Sequence, residues 1–367
     1  MLGNLTAGHS EFQTRASDIS SKLPLWKTDS FLISSAANVR YLTGFSGSNG
    51  LVLLTAGELH FFTDPRYATV AQQSIPGIVH VVRGGPLIRE TLEIIKHKRF
   101  KKIGFESNWM RHSEYTSLDK ELPLGVRMVP LGNVIEERRM VKSSAELERI
   151  RCSVDLNSQA YSRVLKEIRP GMRELDVAAA IEFEMKALGA EKAAFDTIVA
   201  AGEHSAMPHA HPTSYKLRGN EILLIDMGAS LDGYSSDMTR VVHMGEPPRK
   251  VKAIYRAVLE AQQAGIDAVH PGTTAAKVDA AARNVLKKHK LDKMFIHSTG
   301  HGLGLEIHEP PRLGKKDKTR LIAGMAITIE PGAYIEGFVG IRIEDTVLVT
   351  ERGCQILTPT SKEFVSL

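Results

Sequence analysis

The second part of this sequence nearly repeats itself, and the repeat limits the folds that the chain can adopt. A helix-forming segment that ends at Pro170 and a glycine is matched about 101 residues later by one that ends at Pro271 and a glycine. Further on, IDMGASLDGY from Ile225 aligns with IEPGAYIEGF from Ile329 at an offset of 104 residues. Because a solenoid needs roughly three or more repeats, we predict a duplicated helix–helix–strand–strand unit that closes around a pseudo-two-fold axis.

The two copies place acidic residues at comparable positions. Asp226 and Asp237 flank the turn of the first copy, and Glu330 and Glu344 flank the turn of the second, provided that its hairpin is slightly longer. His301 lies between the two acidic stretches, in HSTGHGLGLEIHE. A pseudo-two-fold axis brings the two hairpins face to face, so we predict that these five residues form one metal site.

Four converging carboxylates cannot all stay ionised without a counter-charge. The apolar strands ILLIDMG and MAITIEPG make the problem worse, because they remove water from the acids. Two cations about 3.5–4 Å apart, bridged by carboxylates, are a known arrangement in hydrolytic sites. Oxygen ligands with one imidazole favour Mn²⁺, Co²⁺, Zn²⁺ or Fe²⁺ over Ca²⁺. The pattern therefore predicts metal-assisted hydrolysis of a carbonyl compound.

Each of these residues also has a structural interpretation when it is taken alone. Asp226 could simply end a strand, Asp237 could cap a turn, and Glu344 could be solvated. A single histidine between glycines, as at His301, is often structural. The joint pattern, in which the duplication aligns acid with acid, favours the shared site.

Other histidines lie near these segments and are candidates for proton transfer or for supporting contacts. His297 and His308 flank His301, and either could instead be a core histidine with satisfied hydrogen bonds. Upstream, AAGEHSAMPHAHPTS contains three histidines in a loop before the first acidic strand: His204, His209 and His211. A surface loop rich in histidine is the alternative, and it fits His204 and His211 better than His209.

The first 135 residues have a different organisation. Short apolar runs alternate with amphipathic helical patterns, which predicts a small α/β domain. Its GFSGSNG segment lacks the spacing of a dinucleotide-binding or phosphate-binding loop. We place the boundary between residues 135 and 136, shortly before a capping-box pattern from Ser143 to Glu146 that opens a long helix.

Composition excludes several classes of protein. The net charge of +5 is small, and basic runs with interleaved aromatics are absent from the sequence, which argues against a nucleic-acid partner. Two cysteines are too few for a disulfide framework and fit a reducing compartment. The sequence contains neither an apolar run of the ~18 residues that a membrane span needs nor a signal-peptide pattern. We therefore expect a cytoplasmic protein without a membrane partner.

Four segments together resemble the pita-bread metallopeptidases, in particular the creatinase, aminopeptidase P and prolidase group. They are IDMGA with SSDMTR, HSTGHGLGLEIHE, ITIEPGAY and GIRIEDT, and the resemblance extends over about residues 140–360. It implies an α+β protein, with a C-terminal pita-bread domain over residues 136–367 and a smaller α/β domain of the creatinase/prolidase type over residues 1–135. It also implies two divalent metal ions per subunit, with manganese favoured over cobalt, zinc or iron.

The resemblance also implies a role for each acidic residue and for His301. Asp226 corresponds to the terminal ligand of one metal, and Asp237 and Glu344 correspond to the bridging carboxylates. His301 and Glu330 complete the other metal. Glu330 also resembles the proton shuttle of the family.

Further positions correspond to substrate contacts and supporting residues. His209 and His308 resemble histidines that contact the substrate, His297 resembles a pocket histidine with a catalytic role, and Arg312 resembles an arginine that binds the carboxylate of a dipeptide. Two more positions resemble residues that support the metal ligands: Thr239 and Arg342.

The function that the resemblance implies is cleavage of the bond between an N-terminal residue and proline. A guanidinium at Arg312 suits a dipeptide carboxylate, which favours an Xaa-Pro dipeptidase, or prolidase. An Xaa-Pro aminopeptidase that acts on longer peptides is the alternative, and a non-catalytic module that binds peptides is less favoured. The resemblance further implies a homodimer in which Tyr41, Phe45 and Arg66 of the N-terminal domain approach the partner's site.

Overall fold

The computed structural model describes residues 5–367, with side chains from residue 10 onward. Residues 1–4, on which part of the signal-peptide expectation rests, lie outside the described residues. The chain divides into two compact units, Met1–Arg138 and Arg139–Leu367. The predicted boundary after residue 135 falls inside a short helix, Val134–Arg139.

The N-terminal unit is a mixed six-stranded sheet with helices. Its elements in chain order are α1 (Leu5–Ser21), β1 (Ser30–Ile33), α2 (Ala36–Thr43), β2 (Gly50–Thr55), β3 (Leu59–Thr63), α3 (Ala68–Ser74), β4 (Ile78–Val81), α4 (Leu87–Lys98), β5 (Lys102–Glu106), α5 (His112–Glu121), β6 (Arg127–Leu131) and α6 (Val134–Arg139). The strand order is β4-β3-β2-β1-β5-β6. Parallel and antiparallel pairs occur in one sheet, as the alternating sequence pattern predicts for an α/β domain.

Two short helices of this unit were not apparent in the sequence. α2 has eight residues and ends at Gly44, whose φ of 74° suits glycine. α6 has six residues in a highly charged segment. Isolated helices this short are unstable, so tertiary packing decides whether they form.

The C-terminal unit contains the remaining elements. They are α7 (Ser144–Val164), α8 (Glu174–Ala187), β7 (Lys192–Ala193), β8 (Ile198–Ala201), β9 (Ile222–Met227), β10 (Ala229–Leu231), β11 (Tyr234–Ser235), β12 (Met238–His243), α9 (Arg249–Asp267), α10 (Ala275–Lys288), β13 (Gly300–Gly302), β14 (Glu309–Leu313), β15 (Ala326–Ile329), β16 (Gly332–Ile335), β17 (Val339–Arg342), β18 (Asp345–Val349), β19 (Cys354–Ile356) and β20 (Val365–Ser366). The predicted capping box is present at the start of α7, where the Ser143 and Glu146 side chains each bond the other's backbone N–H.

The order of these elements confirms the duplication. The first copy is α7-α8 followed by β9, the hairpin β10-β11 and β12; the second is α9-α10 followed by β15, the hairpin β16-β17 and β18. β9 pairs antiparallel with β12, and β15 pairs antiparallel with β18. The protein is therefore α+β, with an internal repeat in its larger unit.

β9 lies at the centre of this unit and is buried along its whole length. Leu223 and Ile225 pack in a core with α7 and α8, whereas Ile222 and Leu224 pack on the other side with α9, α10 and the second hairpin. Since side chains alternate along a strand, Asp226 projects from the face that meets the second copy. Within residues 5–367, no helix is both long enough and apolar enough to cross a membrane.

Candidate metal centre

The four predicted acids lie at the ends of the paired central strands. Asp226 is the second-last residue of β9 and pairs with Thr239 of β12. Asp237 directly precedes β12, Glu330 directly follows β15, and Glu344 directly precedes β18. The antiparallel pairing of each copy thus brings its two acids to one end of its strand pair.

The two copies meet at this end. The Glu344 N–H donates to the Thr239 carbonyl, at 3.2 Å. The Thr346 hydroxyl donates to the Asp237 carbonyl, at 3.1 Å. These crossed hydrogen bonds join β12 to the start of β18, so the acids of both copies share one site.

Three of the predicted ligands lie especially close together. One donor atom from each of Asp237, His301 and Glu344 lies within 4.8 Å of the other two. Nε2 of His301 is 3.5 Å from both Oδ2 of Asp237 and Oε1 of Glu330. The described structure therefore brings all four of these side chains around a single point.

Glycines allow His301 to reach this point. His301 lies in β13, which is hydrogen-bonded to β14 on one side and to β15 on the other. A Cβ atom at Gly300 would collide with the Thr328 carbonyl, and one at Gly302 would collide with the Pro310 carbonyl. Glycine is thus required on both sides of the histidine because the neighbouring backbones approach too closely for any side chain.

The crowding of acids shows in their protonation. Burial raises the pKa of Asp237 to about 6, although the hydrogen bond with His301 opposes the change. Burial likewise raises the pKa of Glu330 to about 7. Burial and the neighbouring charge of Asp237 raise the pKa of Glu344 well above its ordinary value. Burial alone would lower the pKa of His301, but Asp237 and Glu330 raise it to about 9.

Asp226 is held from one side only. Nη2 of Arg342 lies 2.5 Å from Oδ2 of Asp226. Oδ1 of the same carboxylate is buried and has no hydrogen-bond partner among the described residues. A buried carboxylate oxygen without a partner is costly and is available as a ligand.

Thr239 and Arg342 support the acids, in the places that the resemblance implied. The Thr239 hydroxyl donates to Oε2 of Glu344 at 2.7 Å and accepts from Nε of Arg342 at 2.9 Å. Arg342 also donates to the hydroxyl of Tyr334 at 2.6 Å. One guanidinium thereby orients ligands from both copies.

A cavity of about 810 Å³ opens above the acids. Its wall includes His209, His297, His308 and Arg312, together with all five predicted metal ligands. The rings of His209 and His308 are exposed, and within residues 5–367 neither makes a hydrogen bond. The His308 ring packs edge-on against His301, with 4.4 Å between the ring centroids. Both free rings are therefore positioned to meet a ligand in the cavity.

His297 differs from these two histidines because the protein occupies both of its ring nitrogens. Nδ1 is 2.8 Å from the Ser298 carbonyl, and Nε2 is 2.9 Å from the Tyr334 hydroxyl. Burial lowers the pKa of His297 to about 3, and the Arg342 charge acts in the same direction. A neutral ring that donates from Nδ1 and accepts from Tyr334 at Nε2 is consistent with all of these contacts.

The sequence did not indicate two structural roles, that of Tyr334 within the site and that of Glu174 outside it. Tyr334 connects Arg342 to His297, although it lies within a segment that was singled out for its acids. Glu174, at the start of α8, accepts from the N–H groups of Ala201 and Thr213 and lies 2.9 Å from Nδ1 of His204. Glu174 thus closes the loop that contains His209. Nothing in its sequence position indicated this role.

The residues present fit a metal centre. The donor set is four carboxylates and one imidazole, which are ligands of Mn²⁺, Co²⁺, Zn²⁺ and Fe²⁺. The partnerless Oδ1 of Asp226 and the raised pKa values of Asp237, Glu330 and Glu344 both indicate acids arranged for a positive charge. The residues that line the cavity include two arginines, Arg312 and Arg342, and a larger number of acids, so the acids outnumber the fixed cations there.

Comparison with known proteins follows the same division of the chain. Residues 148–351 match the model of Metallopeptidase family M24. Residues 26–141 match the model of the Creatinase/Prolidase N-terminal domain. Each match thus falls mainly within one of the two units.

Similar proteins include peptidases that cleave at proline. An Xaa-Pro dipeptidase of Pyrococcus furiosus is 37% identical over 339 residues, which cover 92% of this chain and 95% of that protein. The structure of an Xaa-Pro dipeptidase from Bacillus anthracis has a TM-score of 0.93 and 34% identity, over 98% of this chain and 100% of that one. An X-Pro aminopeptidase from Thermotoga maritima has a TM-score of 0.89 and 33% identity, over 95% of this chain and 100% of that one.

Proposed function

Because this chain belongs to metallopeptidase family M24, we propose that it hydrolyses the peptide bond between an N-terminal residue and proline. The observation that supports this proposal most strongly is the convergence of Asp237, His301 and Glu344 within 4.8 Å, beneath a cavity lined by free histidines. The similar Xaa-Pro dipeptidases agree with it.

Two divalent metal ions, with manganese favoured, would be held by five residues: Asp226, Asp237, His301, Glu330 and Glu344. When bound, such ions supply a water of lowered pKa and polarise the substrate carbonyl. Asp226 would reach an ion through the Oδ1 atom that lacks a protein partner. Arg342 and Thr239 keep Asp226 and Glu344 in position throughout.

The other residues bind substrate and handle protons. Glu330 lies in the cavity wall, with Oε1 3.5 Å from Nε2 of His301, and would accept and return a proton there during the reaction. His209 and His308 have free ring nitrogens at the cavity and would donate to or accept from the peptide near the scissile bond. A peptide bond to proline has no N–H to donate, so contacts at its carbonyl and at the free amine have to position it.

His297 would act on the same reaction through its position. Its ring is neutral and held between Ser298 and Tyr334, and it lies 3.9 Å from Oε2 of Glu330. Proton transfer through Nε2 would require Tyr334 to release this atom. We therefore propose that His297 contributes to catalysis by holding its ring in a fixed position in the cavity wall, next to Glu330.

Arg312 favours a dipeptide as substrate. Its Nε contacts the Ser298 hydroxyl at 3.3 Å, which leaves the rest of the exposed guanidinium facing the cavity. A planar guanidinium fork suits the carboxylate of a dipeptide that ends in proline. Aminopeptidase activity on longer peptides is the second candidate. It is favoured by a second cavity that borders Arg312 and by the similar X-Pro aminopeptidase.

Two further proposals concern the setting of the enzyme. A cytoplasmic location is supported by the two cysteines, which are both free thiols.

A homodimer is supported by the family resemblance. Of the residues named for that contact, Tyr41 and Phe45 are buried inside the N-terminal unit, whereas Arg66 is exposed. Light scattering during gel filtration tests the dimer.

The decisive experiment starts from metal-free protein. It is prepared with a chelator, reloaded with Mn²⁺, Co²⁺ or Zn²⁺, and assayed on Ala-Pro and Ala-Pro-Ala, with Ala-Ala as control. We expect release of alanine from Ala-Pro only when metal is present. Tight metal binding without cleavage of either proline peptide would favour a non-catalytic peptide-binding module, and preference for Ala-Pro-Ala would favour the aminopeptidase.

A further inference from the structure

A second cavity opens directly beside the first. It has a volume of about 890 Å³ and shares the wall formed by His297, Ser298, Arg312 and Asp317. Both cavities therefore border Arg312. The second cavity is the nearest described space for a peptide that runs from the metal centre past Arg312.

The second cavity is strongly basic. Three exposed lysines line it, Lys293, Lys315 and Lys316, and Arg312 stands at its junction with the first cavity. In the part of the chain that the structure describes, none of these lysines forms an ion pair or a side-chain hydrogen bond. We call the surface formed by Lys293, Ile296, Arg312, Lys315 and Lys316 the basic groove.

Positive side chains outnumber negative ones in this lining, because Lys293, Arg312, Lys315 and Lys316 face only Asp292 and Asp317. The Asp317 carboxylate accepts hydrogen bonds from the N–H groups of Arg312 and Thr319, so it is used to shape its own loop. Asp292 is the other acid of the lining. Arg283 also lines the cavity, but its charge is balanced by an ion pair with Asp279 at 2.7 Å.

The basic groove also has an apolar part. Ile296 is 69% exposed, which is unusual for isoleucine. It lies in the lining between Phe295 and His297. The surface thus combines a hydrophobic contact with unpaired ammonium groups, and this combination suits an acidic side chain attached to a peptide backbone.

We propose that the basic groove is a subsite for an acidic residue that follows proline in a longer peptide. This inference rests on the proposed function in its second candidate form, cleavage of peptides longer than a dipeptide; in a dipeptide, Arg312 would meet the terminal carboxylate. In a longer peptide that carboxylate is replaced by an amide, and the next residue lies roughly 3.3–3.6 Å further along. An acidic side chain on that next residue would therefore place its negative charge beyond Arg312, toward Lys315 and Lys316.

The test compares two peptides that differ only in charge, Ala-Pro-Glu-amide and Ala-Pro-Gln-amide. The terminal amide removes the C-terminal carboxylate, so the glutamate side chain carries the only negative charge. With the Mn²⁺-loaded enzyme at low ionic strength, we expect kcat/KM for the glutamate peptide to be about fivefold higher, the upper range for exposed ion pairs. High salt should reduce the ratio, because salt screens exposed charges.

Two double variants locate the effect. Lys315→Gln with Lys316→Gln should bring the ratio close to one. Lys287→Gln with Lys288→Gln makes the same charge change at the end of α10, outside the groove, and should keep the wild-type ratio. Because each ratio compares two peptides on one enzyme, a partly unfolded variant cannot imitate the result.

The outcomes separate this inference from the proposed function. Cleavage of both peptides at equal efficiency by the wild type overturns the subsite alone, and so does a ratio that survives the Lys315 and Lys316 changes. Cleavage of Ala-Pro without cleavage of either longer peptide overturns the subsite and leaves the dipeptidase function standing. Failure to cleave these peptides and Ala-Pro with any metal overturns the proposed function and the subsite together.

Discussion

Arg342 binds Oδ2 of Asp226 at 2.5 Å and leaves Oδ1 of the same carboxylate buried without a partner among the described residues. The guanidinium comes from the second copy of the repeat, on β17, and the carboxylate comes from the first copy, on β9. In the other direction, the hydroxyl of Thr239 from the first copy donates to Glu344 of the second. Each copy therefore orients a ligand that the other copy contributes. The metal centre depends on the duplication for its supporting residues as well as for its acids.

Replacing Arg342 by lysine should weaken the centre although the charge is kept. A lysine has one ammonium group and cannot contact Asp226, Thr239 and Tyr334 together, as the arginine does. We expect metal affinity or kcat/KM to fall by about 10–100-fold, as is usual when residues behind metal ligands are lost. Metal titration and peptide assays measure both effects. Arg320→Lys is the control, because Arg320 is exposed and bonds only the Gly272 carbonyl.

Replacing Asp237 by alanine should abolish metal binding and activity while the fold is kept. Asp237 lies within hydrogen-bonding range of His301 and close to Glu344, so it sits at the centre of the donor set. The loss of activity should exceed about a hundredfold, the upper range for residues that only support ligands. Elemental analysis gives the metal content, and circular dichroism gives the fold. Glu336→Ala, at the exposed tip of the second hairpin, provides a carboxylate control. Full activity of Asp237→Ala would refute its role as a ligand.

The stabilisation that metal provides should grow as the pH rises from about 6 to about 8. In the metal-free protein, the pKa values of Asp237, Glu330 and His301 are raised to about 6, 7 and 9. A raised pKa means that the folded state holds the proton more tightly than the unfolded state. Each group therefore adds its full contribution to the free energy of unfolding at pH values below its pKa in the unfolded state. This contribution is lost as the pH rises through the pKa of the group in the folded state.

Melting curves with EDTA and with Mn²⁺ test this expectation. The metal-free protein should lose stability as the acids ionise beside one another, whereas bound metal compensates their charge. The difference in Tm between the two forms should therefore widen with pH. Glu330→Gln removes one of the titrating acids and should reduce the widening. A difference in Tm that does not vary with pH would contradict the assignment of these acids to a metal site.

Replacing Glu309 by glutamine should destabilise the C-terminal unit. The Glu309 carboxylate is buried and contacts Arg139 at 2.5 Å and Lys142 at 3.2 Å. Although burial acts to raise it, the charges of Lys142 and Arg139 hold the pKa of Glu309 below its usual range. Removing one partner of a buried ion pair costs about 3–5 kcal/mol, because the remaining charges stay buried.

Urea unfolding measures this cost directly. Glu351→Gln is the matched control, since Glu351 is exposed and its change should alter the free energy of unfolding by less than about 0.5 kcal/mol. A stability of Glu309→Gln equal to that of the wild type would show that the buried charges have found other partners. His308 precedes Glu309 in the chain, so peptide assays on the same variant report whether this cluster also holds the His308 loop.

The long, regular features of the sequence predicted the fold well. Helical periodicity and the Ser143 capping box located α7, and the apolar strands with acids at their ends located β9 and β15. These signals are local, since each depends on residues that are neighbours along one element. The short helices α2 and α6 were missed because packing, and not local propensity, stabilises them.

The sequence by itself determined that two copies of one unit exist, that each contributes two carboxylates, and that His301 lies between the two acidic stretches. Only the tertiary structure decided which polar groups complete the site. Arg342 lies 116 residues from Asp226 and 103 residues from Thr239. The tertiary structure also decided that the ring nitrogens of His308 are free, whereas those of His297 are occupied by hydrogen bonds. A side chain's hydrogen-bond partners depend on which strands meet, and that meeting leaves no periodic trace in the sequence.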